Sequence, residues 1–318
     1  MLVSTRRRRR HSAERSWTMH EVDLADASEG DLTRAKERLR ADGLVVARKA
    51  VPRQTILDFR HRLSALMASG EYPETIPDWA TMRRQLSGRQ VLAMRRAAYD
   101  CPEYASAFRS EPLLAFMAFV LDTDKPFLHP RRWIRLNGAA GATGSGAQPM
   151  HQDYWFVQGD PEVYTVWVAL HDCTEGGIAL VEGSHREGLL DVERGPAAKG
   201  QVVAFETDRV VEPHVVMGDV VVFHSLTVHG TAPNGSAMTR ISIDGRFQHP
   251  RAPIAREQLL PAMAPEDRLP IAARNSLITD VNSWSGDPAL EFDGGMPVVA
   301  SRFGTDVTVL GARSTEGF

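Results

Sequence analysis

Lysine, cysteine and long apolar runs are scarce in this sequence of 318 residues. Only four of the 37 basic residues are lysine, which is the coding bias expected of a GC-rich genome. The two cysteines, Cys101 and Cys173, are too few for a disulfide framework and lie in no CxxC pair. We therefore expect a reducing, cytoplasmic setting. No apolar run approaches the roughly 20 residues of a membrane-spanning helix, so we expect no membrane partner.

Charge gives no indication of a nucleic-acid partner. The net charge is −3, and 43% hydrophobic with 24% charged residues are ordinary values for a globular protein. The one charge block is Arg6–Arg10, and no apolar segment follows it, so it is not a secretion signal. We expect residues 1–25 to be a disordered, basic N-terminus and residues 26–318 to form a single domain.

The order of the sequence patterns predicts helices first and short strands afterwards. Helical spacing and a terminal glycine predict three helices, at residues 31–43, 52–70 and 111–121. A short strand is predicted at 44–47, and a polar, irregular stretch from 70 to about 100. Further strands, rich in β-branched residues and separated by Gly or Pro, are predicted at 127–136, 164–170, 178–181, 201–205, 220–223 and 240–247. This order predicts a mainly β fold with flanking α-helices, namely a jelly roll with the N-terminal helices packed outside it and residues 250–318 as a cap or lid.

A histidine and an aspartate lie two residues apart at His151 and Asp153. In an extended segment such residues point the same way, so both could reach one metal ion. The segment 220–230 offers His224 and His229 as third ligands. Two histidines and one carboxylate with open positions form the facial triad of O2-activating Fe(II) sites. The open positions would hold a bidentate 2-oxo acid and O2.

An arginine follows this segment on the next predicted strand. Arg240 comes eleven residues after His229, and arginine can clamp a carboxylate with two parallel hydrogen bonds. We predict that it binds the distal carboxylate of 2-oxoglutarate, with Arg246 as the fallback on the same side of the strand. His224 would face away from His229 if the segment stays extended, so we interpret it as a buried histidine and not as a ligand.

Five segments occur in an order typical of one family. They are Pro149-Met-His-Gln-Asp153, Val166-Trp-Val-Ala-Leu-His-Asp172, Gly183-Ser-His185, Gly218-Asp-Val-Val-Val-Phe-His-Ser225 and His229-Gly-Thr…Arg240. Together they resemble the phytanoyl-CoA dioxygenase family of Fe(II)/2-oxoglutarate oxygenases over most of residues 30–250. The resemblance implies a double-stranded β-helix, cupin-like core at about 127–248. It also implies Fe(II) ligands at His151, Asp153 and His229, a 2-oxoglutarate ligand at Arg240, and O2 as co-substrate.

Further residues are assigned to the co-substrate. Asn137 resembles the position that supplies an amide to 2-oxoglutarate in the ectoine hydroxylase-like branch. Thr231 stands where a small hydroxyl often touches the co-substrate. Trp167 is predicted either to wall the same pocket or to be a core aromatic residue.

Three residues are predicted to contact the substrate. Arg135, if directed inward, would favour a substrate with a carboxylate or another anion. Tyr154 and Trp155 follow the metal-binding pair and would supply an aromatic wall, with simple core packing as the alternative. His185 is interpreted as a turn residue.

The predicted function is oxidation, by default hydroxylation, of a small molecule in secondary metabolism. Desaturation, cyclisation and epimerisation use the same cofactors and remain open, whereas the intact Asp153 argues against halogenation. Three other classes are a redox-inactive cupin-like Zn(II) or Mn(II) protein, a pseudo-enzyme or binding module, and a nucleic-acid demethylase. Arg240 argues against the redox-inactive protein, and the intact triad argues against the pseudo-enzyme or binding module. The negative net charge argues against the nucleic-acid demethylase.

Overall fold

The computed structural model describes most of the chain between residues 21 and 259. The described ranges are 21–71, 88–138, 148–173, 176–192, 202, 208–236, 239–259 and 298–299. Residues 21–23, within the predicted N-terminal tail, form a strand, while residues 1–20 and most of the predicted cap at 250–318 lie outside these ranges. None of the helices within them combines the length and apolar character needed to span a bilayer.

Helices form the N-terminal part of the protein. They are α1 (Glu29–Asp42), α2 (Arg53–Ala68), α3 (Gly88–Tyr99), α4 (Pro102–Ser106) and α5 (Glu111–Leu121), followed after the first strands by the short α6 (Tyr154–Val157). A capping box of Ser28 and Asp31 starts α1, and Gly43 ends it in the left-handed conformation, φ 78°. The prediction of an irregular stretch up to residue 100 was wrong, because α3 occupies its last part.

Twelve strands lie within the described ranges. They are β1 (Glu21–Asp23), β2 (Leu44–Arg48), β3 (Phe127–Leu128), β4 (Trp133–Asn137), β5 (Tyr164–Ala169), β6 (Ile178–Val181), β7 (Val210–Val211), β8 (Val220–His224), β9 (His229–Thr231), β10 (Arg240–Gln248), β11 (Ile254–Ala255) and β12 (Val298–Val299). The predicted strand 127–136 is divided into β3 and β4. The predicted strand 201–205 lies outside the described residues, apart from Val202, which bridges Val192.

Two sheets face each other. The major sheet has the order β1-β2-β8-β5-β10-β3, with β4 also pairing with β10, and the minor sheet has the order β7-β6-β9. One side of the major sheet packs against the helices through residues such as Val166, Val222 and Ile243. The other side packs against the minor sheet through residues such as Trp167 and Ile178. This jelly-roll arrangement, with helices outside one sheet, confirms the predicted fold class.

Strand β10 places polar residues inside the roll. Successive residues of a strand point to opposite faces. Ile241, Ile243 and Phe247 therefore pack under the helices, whereas the alternate residues face the minor sheet. The inward residues are Arg240, Ser242, Asp244, Arg246 and Gln248, all of them buried. The interior of the roll thus contains charged side chains, and their positions along β10 determine where a site can form.

Candidate metal centre

Two histidines and one carboxylate converge inside the roll. The ligand atoms offered by His151, Asp153 and His229 all lie within 4.8 Å of one another, and all three residues are buried. The two histidines are brought together by their own backbones, because each donates its N–H to the other's carbonyl, at 2.8 and 2.9 Å. The predicted cluster is therefore formed by the fold, and within the described ranges it is the group with the spacing of a metal site.

Hydrogen bonds set the tautomer of both histidines. His151 Nδ1 lies 2.7 Å from the Pro149 carbonyl oxygen, and His229 Nδ1 lies 2.9 Å from that of Thr227. A carbonyl oxygen only accepts, so each Nδ1 must carry the proton and each Nε2 keeps its lone pair. Burial lowers the pKa of His229 to about 3. The His229 imidazole is thus neutral, which is the form that binds Fe(II).

Asp153 turns one oxygen to the histidines and the other to the protein. Its Oδ1 lies 3.7 Å from Nε2 of both His151 and His229. Its Oδ2 accepts from the Thr165 hydroxyl at 2.5 Å and from the Arg246 guanidinium at 2.9 Å. Burial alone would raise the pKa of Asp153, but the charge of Arg246 holds it well below its ordinary range. The three free donor atoms form the two-nitrogen, one-oxygen set of a facial triad, so the residues fit Fe(II).

The backbone conformation that directs Asp153 into the site differs from the prediction. We expected an extended segment with His151 and Asp153 on one face. Asp153 instead has helical backbone angles, φ −62° and ψ −27°, and precedes α6. Gln152 between the two ligands points to the opposite side, where its amide donates to the Gly188 and Leu226 carbonyls. The amide fixes the loop, and the turn into α6 directs the carboxylate.

The triad lines a cavity that opens to solvent. Of the residues assigned to the co-substrate, Arg240, Thr231 and Trp167 line it, and so does Arg135. Asn137 does not: its amide donates both N–H groups to the Gly176 and Ala232 carbonyls, at 2.9 and 3.0 Å.

Arg240 is a buried cation without a carboxylate partner among the described residues. It is 4% exposed, and it donates to the carbonyls of Gly176 and Gly177 and to the Ser242 hydroxyl. Its guanidinium lies 5.5 Å from the centre of the Trp167 ring. Burial lowers the pKa of Arg240 to about 10. An anionic ligand in the cavity would balance this charge, as the prediction of a carboxylate clamp requires.

A row of alternating charges runs from the metal ligands to the wall of the cavity. Arg246 bridges the carboxylates of Asp153 and Asp244. Asp244 in turn accepts from Arg135, at 2.6 Å from Nε and 3.4 Å from Nη2. We call Asp153, Arg246, Asp244 and Arg135 the charge row. Because both sides of Arg246 are occupied by carboxylates, it is poorly suited to replace Arg240 as a clamp.

Other predicted residues lie outside the cavity lining. Tyr154 and Trp155 belong to α6, where their side chains do not alternate as they would in a strand. His224 ends β8, and its Nε2 lies 3.3 Å from Glu162, so it is no part of the triad, as predicted. His185 stands in a helical turn after Gly183 and contacts the Arg40 carbonyl, as expected for a turn residue.

Sequence reasoning missed several partners of the site. Thr165 and Ser242 each touch a predicted site residue. Asp244 was missed as well, and Arg246 was considered only as a substitute for Arg240. Ser242 could have been predicted, because it lies two residues after Arg240 on the same strand and so faces the same side. The contact of Thr165 with Asp153 could not have been predicted, because it depends on how β5 lies against the turn at Asp153.

Comparison with known proteins agrees with this site. The sequence model of phytanoyl-CoA dioxygenase (PhyH) matches residues 39–242. A 1-deoxypentalenic acid 11-beta-hydroxylase of Streptomyces exfoliatus is 31% identical over 126 residues, which cover 35% of this chain and 44% of the relative. An enzyme of the same name from Streptomyces arenae is 33% identical over 114 residues, 31% of this chain and 40% of the relative. The matched segments thus span less than half the length of these relatives.

Solved structures share the fold. The epimerase SnoN, in complex with Fe3+, alpha ketoglutarate and nogalamycin RO, has a TM-score of 0.52 at 20% identity, covering 71% of this chain and 86% of that one. The non-heme monooxygenase ThoJ in its apo form has a TM-score of 0.51 at 20% identity, covering 69% and 78%. At this identity the likeness concerns the fold alone. Since the family match covers more than half of the sequence and includes all three converging ligands, this chain belongs to the phytanoyl-CoA dioxygenase family.

Proposed function

We propose that the protein is an Fe(II)- and 2-oxoglutarate-dependent dioxygenase that hydroxylates a small molecule. The observation that carries this proposal is the meeting of His151, Asp153 and His229 in one cavity with the unpaired cation of Arg240. A metal triad alone would also suit a redox-inactive cupin-like protein. A buried guanidinium in the same cavity adds the binding site for a second carboxylate, which such a protein does not need.

The chain's own residues prepare the site. His151 Nε2, His229 Nε2 and Asp153 Oδ1 would hold the iron, and Arg240 would hold the distal carboxylate of 2-oxoglutarate. When bound, Fe(II) with 2-oxoglutarate and O2 supplies the oxidising power for an unactivated C–H bond. The backbone carbonyls that accept from both Nδ1 atoms keep the imidazoles oriented. Thr165 and Arg246 occupy Asp153 Oδ2, so a single oxygen faces the metal position.

Apolar side chains form part of the wall around these groups. Trp167, Ile178 and Phe223 line the cavity, and the Phe223 ring lies 4.5 Å from that of His229. Such a wall strengthens each ion pair inside it by lowering the local dielectric constant. No general acid or base is assigned, because the oxidation needs none from the protein.

The relatives support hydroxylation in secondary metabolism. Both relatives are hydroxylases of 1-deoxypentalenic acid, so a small carboxylic acid is the proposed type of substrate. The related folds include an epimerase, and the same cofactors would support that outcome, or desaturation and cyclisation, if the substrate were held differently. Cys101 and Cys173 are both buried thiols outside any disulfide, in keeping with the proposed reducing, cytoplasmic setting.

Stepwise anaerobic loading tests the proposal. The parent should bind one Fe(II) per chain and develop the absorbance band of the Fe(II)·2-oxoglutarate complex when 2-oxoglutarate is added. Asp153→Ala should develop no band, whereas the matched variant Asp160→Ala, outside the cavity, should behave like the parent. Succinate release on admission of O2 should require iron and fail with Zn(II). Absence of the band in the parent, or equal turnover with Zn(II), would show that the protein is another kind of metal protein.

A further inference from the structure

Three guanidinium groups surround one indole ring at the edge of the roll. Arg95, Arg131 and Arg135 lie 5.4, 5.3 and 5.3 Å from the centre of the Trp133 ring. Cation–π contacts of this kind hold the planar groups close to the aromatic ring. Such a concentration of one charge sign at one residue is uncommon, because like charges repel.

The position of Trp133 places this cluster beside the charge row, whose last member, Arg135, lines the cavity. Trp133 stands directly opposite Asp244 in the register of β4 and β10, and Arg135 stands opposite Ser242. Residues directly opposite in antiparallel strands share one face of the sheet, and here it is the inner face. Among the described strands, β4 pairs with β10 alone. The cluster therefore lies on the inner face of an edge strand, next to the charge row.

The three arginines are unequally neutralised. Arg131 lies 3.6 Å from Glu257, and Arg135 is bound by Asp244 through Nε and Nη2. Arg95 has no carboxylate partner within the described part of the chain, and its buried Nε has no hydrogen-bond acceptor there. Burial, followed by the charge of Arg135, lowers the pKa of Arg95. Arg95 is thus a partly desolvated cation that an anion would stabilise.

The described residues of the cavity and of the Trp133 cluster show the same excess of positive charge. Among them, five arginines stand against three carboxylates: Arg95, Arg131, Arg135, Arg240 and Arg246 against Asp153, Asp244 and Glu257. The two charges of Fe(II) and the two of 2-oxoglutarate cancel each other. Within this described group two positive charges therefore remain when both cofactors are bound, and an anionic substrate would balance them better than a neutral one.

We propose that Arg95 and Arg135, beside the indole of Trp133, bind an anionic group of the substrate, namely a carboxylate. The proposal rests on the proposed oxygenase function and deepens it by naming the residues that bind the carboxylate of the substrate. Arg135 contributes Nη1, which donates to no described residue, while its other donors remain on Asp244. Arg95 contributes the unpaired charge. Trp133 offers an apolar ring to the carbon skeleton next to the carboxylate.

Binding of matched acids and esters tests this subsite. The probes are 1-deoxypentalenic acid, cyclohexanecarboxylic acid and 1-adamantanecarboxylic acid, each beside its methyl ester. Equilibrium dialysis against the anaerobic Fe(II)·2-oxoglutarate complex measures their affinity without turnover. At least one acid should bind about 10-fold or more tightly than its ester, as expected for hydrogen bonds to charged groups. Arg95→Met should remove most of this preference.

Matched variants separate a local role from a general loss of charge. Arg96→Met removes an exposed arginine from the same helix and should keep the preference. Arg95→Lys, which keeps the charge without the planar fork, should keep part of it and serves if Arg95→Met fails to fold.

The outcomes distinguish the subsite from the oxygenase proposal. The inference is overturned if no acid is preferred to its ester, or if Arg95→Met prefers acids as strongly as the parent. The absorbance band of the Fe(II)·2-oxoglutarate complex is recorded in the same samples before any acid is added. If the parent shows this band but binds acids and esters equally well, only the proposed subsite is refuted. If the parent shows no band, the proposed function itself is refuted.

Discussion

Replacement of Arg240 by methionine should abolish tight 2-oxoglutarate binding without unfolding the protein. Burial lowers the pKa of Arg240 to about 10 from 12.5, and a shift of this size disfavours the buried cation by about 3 kcal/mol. Methionine removes that charge and fills similar space. It also removes the three hydrogen bonds to Gly176, Gly177 and Ser242, each worth about 1 kcal/mol. The two effects oppose each other, so the unfolding free energy of the metal-free variant should stay within about 2 kcal/mol of the parent.

The co-substrate should respond quite differently. Loss of one partner from a buried, charge-assisted pair costs about 2–5 kcal/mol, which raises the dissociation constant for 2-oxoglutarate about 30-fold or more. Arg240→Lys should recover part of the affinity, because an ammonium group cannot reproduce two parallel hydrogen bonds. Titration of the anaerobic Fe(II) protein with 2-oxoglutarate, followed by its absorbance band, measures the constant. Arg251→Met, which removes an exposed arginine, is the control and should titrate like the parent.

One combination of results would refute this reasoning. If Arg240→Met binds 2-oxoglutarate like the parent while its urea unfolding free energy falls by more than about 3 kcal/mol, Arg240 is a structural residue. Arg246 would be a poor substitute, since the carboxylates of Asp153 and Asp244 already hold it.

Three further predictions concern the metal, the charge row and pH. His229→Ala should lose iron after anaerobic loading and desalting, whereas His224→Ala should keep it. If instead His224→Ala loses the iron and His229→Ala keeps it, His224 is the ligand and the assignment of His229 is wrong. Arg246→Met leaves two carboxylates buried and should lower the unfolding free energy of the metal-free protein by about 3–5 kcal/mol in urea; a loss under 1 kcal/mol would contradict the ion pairs. Burial lowers the pKa of His129 to about 4, below its ordinary 6.5. As the pH falls, His129 is therefore protonated in the unfolded chain before it is protonated in the folded protein, and the folded protein loses stability between pH 6.5 and 4. The His129→Asn variant lacks this titration, so its unfolding free energy should fall less than that of the parent as the pH is lowered from 7.5 to 4.5. The difference between variant and parent should therefore shift by about 2–3 kcal/mol in favour of the variant over this range. A difference that does not change with pH would show that His129 is not buried in its neutral form.

The sequence predicted those parts of the fold that depend on local patterns. Helix α5 has the predicted bounds, residues 111–121, because an apolar run between a proline-containing start and a polar end leaves little choice. Strand β10 begins at Arg240, as predicted. Helix α3 was missed because its buried face is made of small or flexible residues, Met94, Ala97 and Ala98, in a polar, arginine-rich stretch.

The site was predictable as a set of ligands but not as an arrangement. The spacing of His151, Asp153 and His229 indicated the triad, because three ligands of suitable type in the right order are rarely accidental. The helical backbone at Asp153 was not predictable from alternation, since a turn gives the same spacing. The pairing of Arg246 with Asp153 joins residues 93 positions apart. Such contacts follow from the register of β10 and from the turn before α6, which residue patterns do not encode.

The charge row also limits how this protein can change over evolutionary time. Each inner member of the row balances its neighbours, so a single substitution leaves a buried charge unmatched and should be selected against. Replacement of Arg246 becomes tolerable only when Asp244 changes with it, and Asp244 is in turn coupled to Arg135. These positions should therefore covary among homologous sequences. Grafting Arg135 alone into another family member should fail unless the carboxylate at position 244 is transferred with it.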